Sequence, residues 1–316
     1  LLDGKVVVVT GGGRGIGRCY AVALAAEGAQ VVVNDVGSPD HGDGSSHSPA
    51  DEVVREIEGA GGAAAANYND VSDFEGAAEI IQTALGKFGR VDAVICNAAI
   101  ERYNLLFELT EEDWDKALAV NAKGTFNVAH HAARAMREQG GGAIILVTSG
   151  AAFSGTPRIG AYSASKAAVY SLNLTLAAEL EDSQVSVNCI SPGATRTRLV
   201  DSWIADMKQD LNMTDEQIMA TYGIQQPENM APLAVYLCTD EGRKITGRTF
   251  EVAGDAIHLV PPPARHPSAI NLEVAGDAIH LVPPPARHPS AINPREGLWT
   301  TEDMRKVIPR LVAGQP

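Results

Sequence analysis

Two kinds of apolar run alternate along the chain. Residues 5–10, 30–34, 63–68, 91–96, 143–147, 185–190 and 249–252 are short, nearly continuous and rich in small or β-branched side chains. Strands covered on both faces read this way. Residues 19–26, 51–58, 74–88, 111–139, 161–181 and 230–238 instead space their apolar positions along one helical face. The alternation predicts an α/β fold, a single doubly wound parallel sheet of about seven strands with helices on both faces. In such sheets ligands bind beyond the carboxyl ends of the strands.

The loops at those ends carry the candidate chemistry. After the first strand come Gly11-Gly12-Gly13-Arg14-Gly15-Ile16-Gly17 and then a helix. Glycines let the backbone approach a pyrophosphate, and the unpaired N–H groups of the helix start attract that anion. The second strand ends in Asp35, eighteen positions after Gly17, where a carboxylate would bind the adenosine ribose and repel a 2′-phosphate. Arg14 pulls the other way, since a guanidinium holds phosphate. Because Asp35 would stand nearest the 2′ position, NAD is expected over NADP. Asp70 and Val71 close the third strand where an adenine would lie, and Asn97-Ala98-Ala99 closes the fourth.

Tyr162 and Lys166 lie four residues apart on one helix, one turn from each other. A cation about 4 Å from the phenol is worth roughly 4 kcal/mol at an effective dielectric of about 20, enough to lower its pKa by about three units. The expectation is a Tyr able to accept an alcohol proton near neutrality. Ser149, thirteen positions earlier, ends the fifth strand. Asn121 sits inside the long helix predicted over 111–139, where its low propensity asks for a reason. Trp203, Met207 and Met219 fall in a segment with helical spacing, read as a lid with an apolar inner face. With Phe153 beyond Ser149, Trp203 and Met207 are candidate substrate contacts.

Composition narrows the partners. The 316 residues are 45% hydrophobic and carry a formal charge of −14, which argues against nucleic acid or an anionic membrane as partner. Cys19, Cys96, Cys189 and Cys238 show no paired spacing and read as buried thiols of a reducing compartment. No apolar run is long enough to span a membrane, no signal pattern opens the chain and no peroxisomal tripeptide ends it. A cytoplasmic protein is expected. The histidines of the 37–49 loop, His41 and His47, have no ligand framework, so no metal is expected.

Residues 251–271 recur unchanged as 273–293, a tandem copy with a period of 22 residues. Two copies, each containing Pro-Pro-Pro, do not build a solenoid. The first copy is expected to supply the last strand, because it continues from Gly247-Arg248-Thr249-Phe250, and the second to form a surface excursion. The division read from this is a catalytic domain over 1–252 with a lid at 197–226, then an extension over 253–316 holding the repeat (251–272 and 273–294). A short final helix beginning near Thr300 closes it.

Assembled, these motifs resemble the short-chain dehydrogenase/reductase superfamily, whose sheet is of the Rossmann type. Thr10-Gly11 with Gly15-Ile16-Gly17 matches its cofactor turn, and Asn97-Ala98-Ala99 its NAG-type motif with Ala99 for the usual Gly. Asn121, Ser149, Tyr162 and Lys166 match its catalytic tetrad, and Pro192-Gly193 with Thr197 its PGxxxT turn, where Thr195 also falls. The segment Asn34-Asp35-Val36-Gly37, the loop after it and the Phe250-Glu251-Val252 ending are similar to one subgroup. That subgroup is the (3R)-hydroxyacyl-CoA dehydrogenase part of peroxisomal multifunctional enzymes, also classed as 17β-hydroxysteroid dehydrogenase type 4-like.

The resemblance implies an oxidoreductase that moves hydride between NAD and a bulky apolar secondary alcohol or ketone. Tyr162 would be its acid/base, with Lys166 lowering the phenol's pKa and binding the nicotinamide ribose. Ser149 would polarise the reacting oxygen and Asn121 would hold a relay water. It also implies a homodimer or homotetramer. Arg158, Arg196, Arg198 and Lys208 are candidates to meet an acyl-CoA's phosphates. The alternatives are an NADPH-dependent carbonyl reductase, favoured by Arg14, and a non-catalytic dinucleotide sensor.

Overall fold

Strand β1, Val6–Thr10, is buried along its whole length, and its alternation explains the layering. Val7 and Val9 enter one apolar core, Val6 and Val8 the other, because successive side chains of a strand point to opposite faces. Strand β2, Gln30–Asn34, repeats the division, with Val31 and Val33 on one side and Val32 on the other. A sheet apolar on both faces must be covered on both faces. This computed structural model describes residues 1–38, 44–197, 200, 204, 208, 213–254, 256–262, 291–292 and 299–313.

The remaining strands are β3 (Ala63–Asn67), β4 (Ala93–Cys96), β5 (Gly142–Val147), β6 (Val185–Pro192), β7 (Thr249–Ala253), β8 (Ala256–Val260) and β9 (Ala291–Ile292). They lie in the order β3-β2-β1-β4-β5-β6-β7-β8-β9. The first seven are mutually parallel, the sheet expected from the sequence. Its extent was underestimated. After β7 the chain reverses at Gly254, whose φ of +63° suits glycine, and β8 and β9 add antiparallel strands. The first copy of the repeat does supply the end of β7 and all of β8, while β9 belongs to the second copy.

Helices α1 (Gly15–Ala26), α2 (Ser48–Gly59), α8 (Ala231–Cys238) and α9 (Thr301–Val312) cover one face. Helices α3 (Phe74–Phe88), α5 (Gly124–Gln139) and α6 (Gly160–Glu179) cover the other. Local signals set their ends. Asp73 accepts from the Gly76 N–H to cap α3, and Thr300 and Asp303 form a reciprocal capping box at α9. Met304, Ile308 and Leu311 of α9 are buried in the same core as Tyr20 and Leu24 of α1, so the last helix packs on the sheet layer.

The helix predicted over 111–139 is corrected. Helix α4 (Glu111–Leu118) passes into a π turn, Ala119–Lys123, before α5 begins. Gly124 follows the turn because a Cβ there would stand 2.7 Å from Val71 Cγ2, and the helix must press against the end of the third strand's loop. In the segment read as a lid, helix α7 (Asp215–Tyr222) places Ile218 against Ile204 and Ile224 in a small apolar cluster of its own. Trp203 and Met207 lie outside the described residues. The four cysteines are free and buried, as expected. No described helix is long and apolar enough to cross a membrane.

Candidate active site

The strand order reverses between β1 and β4, and a cleft of about 870 Å³ opens beyond their carboxyl ends. One end is built by the glycine turn. Gly11 has a φ of +61°, and a Cβ on Gly17 would lie 2.0 Å from the Gly11 carbonyl oxygen. Only glycine lets the turn fold so tightly. Asn97 fastens it, its Nδ2 donating to the carbonyls of Thr10 and Gly11 at 3.1 Å each. Thr10 Oγ1 in turn accepts from the backbone N–H groups of Asn97 and Ala98. No side chain caps α1, so its first N–H groups are left for an anion.

Asp35 braces the same turn, Oδ2 accepting from Gly13 N–H at 2.9 Å and Oδ1 from Gly37 N–H at 2.7 Å. A carboxylate has about four acceptor sites, so it can still take the hydroxyls of a ribose. Arg14 reaches the Ser38 carbonyl from the other side, at 3.2 Å. Asp70 folds back on the Ser72 N–H. The turn, the bare helix start and the carboxylate together fit a nicotinamide dinucleotide. Gly11, Arg14, Gly15, Ile16, Gly17, Asp35, Asp70, Val71, Asn97, Ala98, Pro192, Gly193, Thr195 and Thr197 all line the cleft, and so do Ser149, Tyr162 and Lys166.

At the reaction end, Ser149 and Tyr162 both line the cleft, and the Ser149 hydroxyl acts to lower the pKa of the Tyr162 phenol. Lys166 is only 2% exposed and donates to the Val147 carbonyl at 2.8 Å, its Nζ 5.6 Å from the centre of the Tyr162 ring. This corrects the expected electrostatics. Burial pushes the phenol up to about 12, and what lowers it is the Ser149 hydroxyl, with Glu101 raising it further. Lys166 itself is pushed down to about 8 by burial. Desolvation at this depth outweighs the attraction estimated from spacing, and the lysine is turned to a carbonyl. Tyr162 keeps part of its surface toward the cleft, so solvent tempers the upward push on its phenol.

Asn121 does not line the cleft among the described residues; it lies behind the wall, fully buried. Its side chain accepts from Ile100 N–H at 2.8 Å and donates to Ile100 O at 2.9 Å and Ser165 Oγ at 3.0 Å. Both of its side-chain N–H donors are therefore taken by protein groups. Phe153 is 43% exposed and meets Tyr170 edge-on, off the cleft lining. Of the cations matched to acyl-CoA phosphates, Arg196 and Lys208 both pair with Asp215, and Arg158 lies over the Tyr103 ring. Arg198 lies outside the described residues.

Sequence reasoning missed Glu101, Lys116 and Glu251, which also line the cleft. Glu101 stands two positions after the NAG-type motif, a position that could have flagged it. Glu251 faces the cleft because β7 pairs it with Ser191 of β6, which nothing in the local sequence reveals.

Comparison with known proteins agrees with this geometry. The short chain dehydrogenase family matches residues 5–208. Peroxisomal multifunctional enzyme A of Dictyostelium discoideum is 40% identical over 258 residues, covering 81% of this chain and 54% of that protein. The chain thus spans about half the length of that relative. The crystal structure of a short chain dehydrogenase from Mycobacterium avium has a TM-score of 0.71 and 34% identity, covering 100% of this chain and 96% of that one. A 7α-hydroxysteroid dehydrogenase solved with NADH and 7-oxo glycochenodeoxycholic acid has a TM-score of 0.70 and 30% identity, covering 80% and 94%. With its glycine turn, its seven parallel strands and this cleft, the chain belongs to the short-chain dehydrogenase/reductase family, NAD(P)-dependent oxidoreductases.

Proposed function

We propose that the protein is an NAD-dependent dehydrogenase that interconverts a bulky, apolar secondary alcohol and its ketone, of hydroxysteroid or 3-hydroxyacyl-CoA type. One observation carries the reading: Ser149, Tyr162 and Lys166 share a cleft with the glycine turn and Asp35. The nicotinamide, when bound, supplies the hydride acceptor or donor. The chain's own residues do the rest. The glycine turn and the start of α1 hold the pyrophosphate, Asp35 takes the adenosine ribose, and Thr197 with Pro192-Gly193 orients the carboxamide. Ser149 donates a hydrogen bond to the substrate oxygen, and Tyr162 takes the hydroxyl proton as the carbonyl forms. Lys166, which lines the same cleft, binds the nicotinamide ribose.

Apolar wall residues, Val120, Ile159 and Val200, support a hydrophobic substrate. The steroid bound in the 7α-hydroxysteroid dehydrogenase and the name of the Dictyostelium relative keep both substrate types in view. The exposed Trp114 and Phe126 on α4 and α5 support pairing of those helices in a homodimer or homotetramer. Oxidation of steroid alcohols and of 3-hydroxyacyl-CoAs, each with NAD and with NADP, tests the reading. Turnover with NAD on one of these classes is expected; cofactor binding without turnover on either would sink it. Arg14 in the cleft favours the second reading, an NADPH-dependent carbonyl reductase, and preferential use of NADPH would establish it.

A further inference from the structure

A chain of buried hydrogen bonds joins the floor of the cofactor cleft to the helix that carries Tyr162. It begins at Ile100, directly after Asn97-Ala98-Ala99, whose backbone N–H and carbonyl are both held by the Asn121 side chain. The second N–H of Asn121 goes to Ser165 Oγ at 3.0 Å. Ser165 Oγ in turn donates a hydrogen bond to the Tyr162 carbonyl at 2.7 Å. Asn121 and Ser165 are each 0% exposed, so water cannot replace either bond.

The π turn is what makes this reach possible. An extra residue in the winding changes which side chains face α6, and such turns gather at functional sites. Here the turn is stabilised by Thr125, which donates to the Asn121 carbonyl at 2.7 Å. The next carbonyl of interest on α6, that of Lys166, is held separately by Thr148 Oγ1 at 2.7 Å. The α6 segment is therefore pinned at two points, to the residue just after β5 through Thr148 and to the cleft floor through Ser165.

The geometry points to Ser165 as a positioning residue: it fixes Tyr162 against Ser149 by tying the Tyr162 carbonyl to Asn121 and the Asn97-Ala98-Ala99 loop. This rests on the reading of Tyr162 as the acid/base. A serine that bonds back to a carbonyl one turn earlier is common on helix surfaces, where it does nothing for function. Two features set this one apart. Its oxygen is also an acceptor for a buried amide from another helix, and removing it would leave that N–H unpaired. It also joins, through Asn121, two parts of the cleft lining, Ile100 and Tyr162.

The test compares Ser165→Ala and Ser165→Cys with the wild-type protein, using the alcohol oxidised best in the panel above. Misplacement of a reacting group by about 1 Å costs on the order of 100-fold. Ser165→Ala is expected to lower kcat about 10- to 100-fold on that scale, with KM for NAD and alcohol within about threefold. Ser165→Cys, keeping a weak donor and acceptor, should fall between. The pH limb of kcat that reports the phenol should move to higher pH in Ser165→Ala, because the phenol is held less closely to the Ser149 hydroxyl that lowers it.

Ser165→Ala combined with Asn121→Ala should cost no more than the worse single change, as residues acting through one path do. NADH titration by fluorescence should show near wild-type affinity, which confirms that the variants are folded. The proposal is overturned if kcat of Ser165→Ala stays within twofold, if its pH limb does not move, or if the two changes simply add. Tyr162→Phe separates the two levels: if that variant turns over normally, the reading of Tyr162 fails whatever Ser165 does.

Discussion

Replacing Gly17 by Ala tests the cofactor turn. The new Cβ would lie 2.0 Å from the Gly11 carbonyl oxygen and 2.6 Å from Asn97 Nδ2. Both are more than about 0.5 Å inside contact, the first by over 1 Å. The oxygen is backbone and cannot swing away, so the turn must open and the Asn97 bond to the Gly11 carbonyl, now 3.1 Å, must break. Overpacking of this kind costs about 1–3 kcal/mol, a fall in NADH affinity of about 5- to 150-fold at 1.36 kcal/mol per decade. Fluorescence titration with NADH reads it directly. Gly86→Ala is the control, because a Cβ there meets nothing within 4 Å inside α3. It should leave affinity unchanged and raise stability by about 0.5–1 kcal/mol. An unchanged affinity in Gly17→Ala would refute the argument that this turn cradles the nucleotide.

Asp35→Ala removes the carboxylate that would face a 2′-phosphate, and the ratio of NAD to NADP kcat/KM should fall at least about tenfold; an unchanged ratio removes Asp35 from the discrimination. Burial lowers Lys166 to about 8 from 10.5, so between those values the unfolded chain binds more protons and this group makes stability rise with pH. Lys166→Met should therefore lose that rise relative to wild type when urea midpoints are followed from pH 8 to 10.5; parallel curves would contradict it. Deleting residues 261–282, one period of the repeat, keeps β8 and β9 and shortens the connection between them from 30 residues to 8. The shortened chain should keep the activity of the full one, read as an unchanged kcat/KM.

How far the sequence was legible follows from the range of the forces involved. Strands and helices were readable because apolar periodicity is local, and the glycine turn that lines the cleft was readable because its glycine spacing expresses a backbone requirement. The π turn was not: residues 119–123 carry no breaker, and the irregularity arises from contacts with α6 and Val71 that lie far off in sequence. Strands β8 and β9 were missed because the Pro-rich repeat looks like an excursion, whereas the residues 256–260 ahead of its prolines pair with β7. The phenol's electrostatics failed for a third reason. Spacing gives how near Lys166 can come to Tyr162, but desolvation depends on everything packed around both.

The central claim is that the phenol of Tyr162 moves the proton of the reaction. Steady-state turnover of Tyr162→Phe, measured beside its NADH affinity, tests it most directly. The account predicts a loss of at least about 100-fold in kcat, the usual weight of a positioned acid/base, with NADH affinity within about threefold of wild type. A variant that binds NADH and still turns over at the wild-type rate would contradict it.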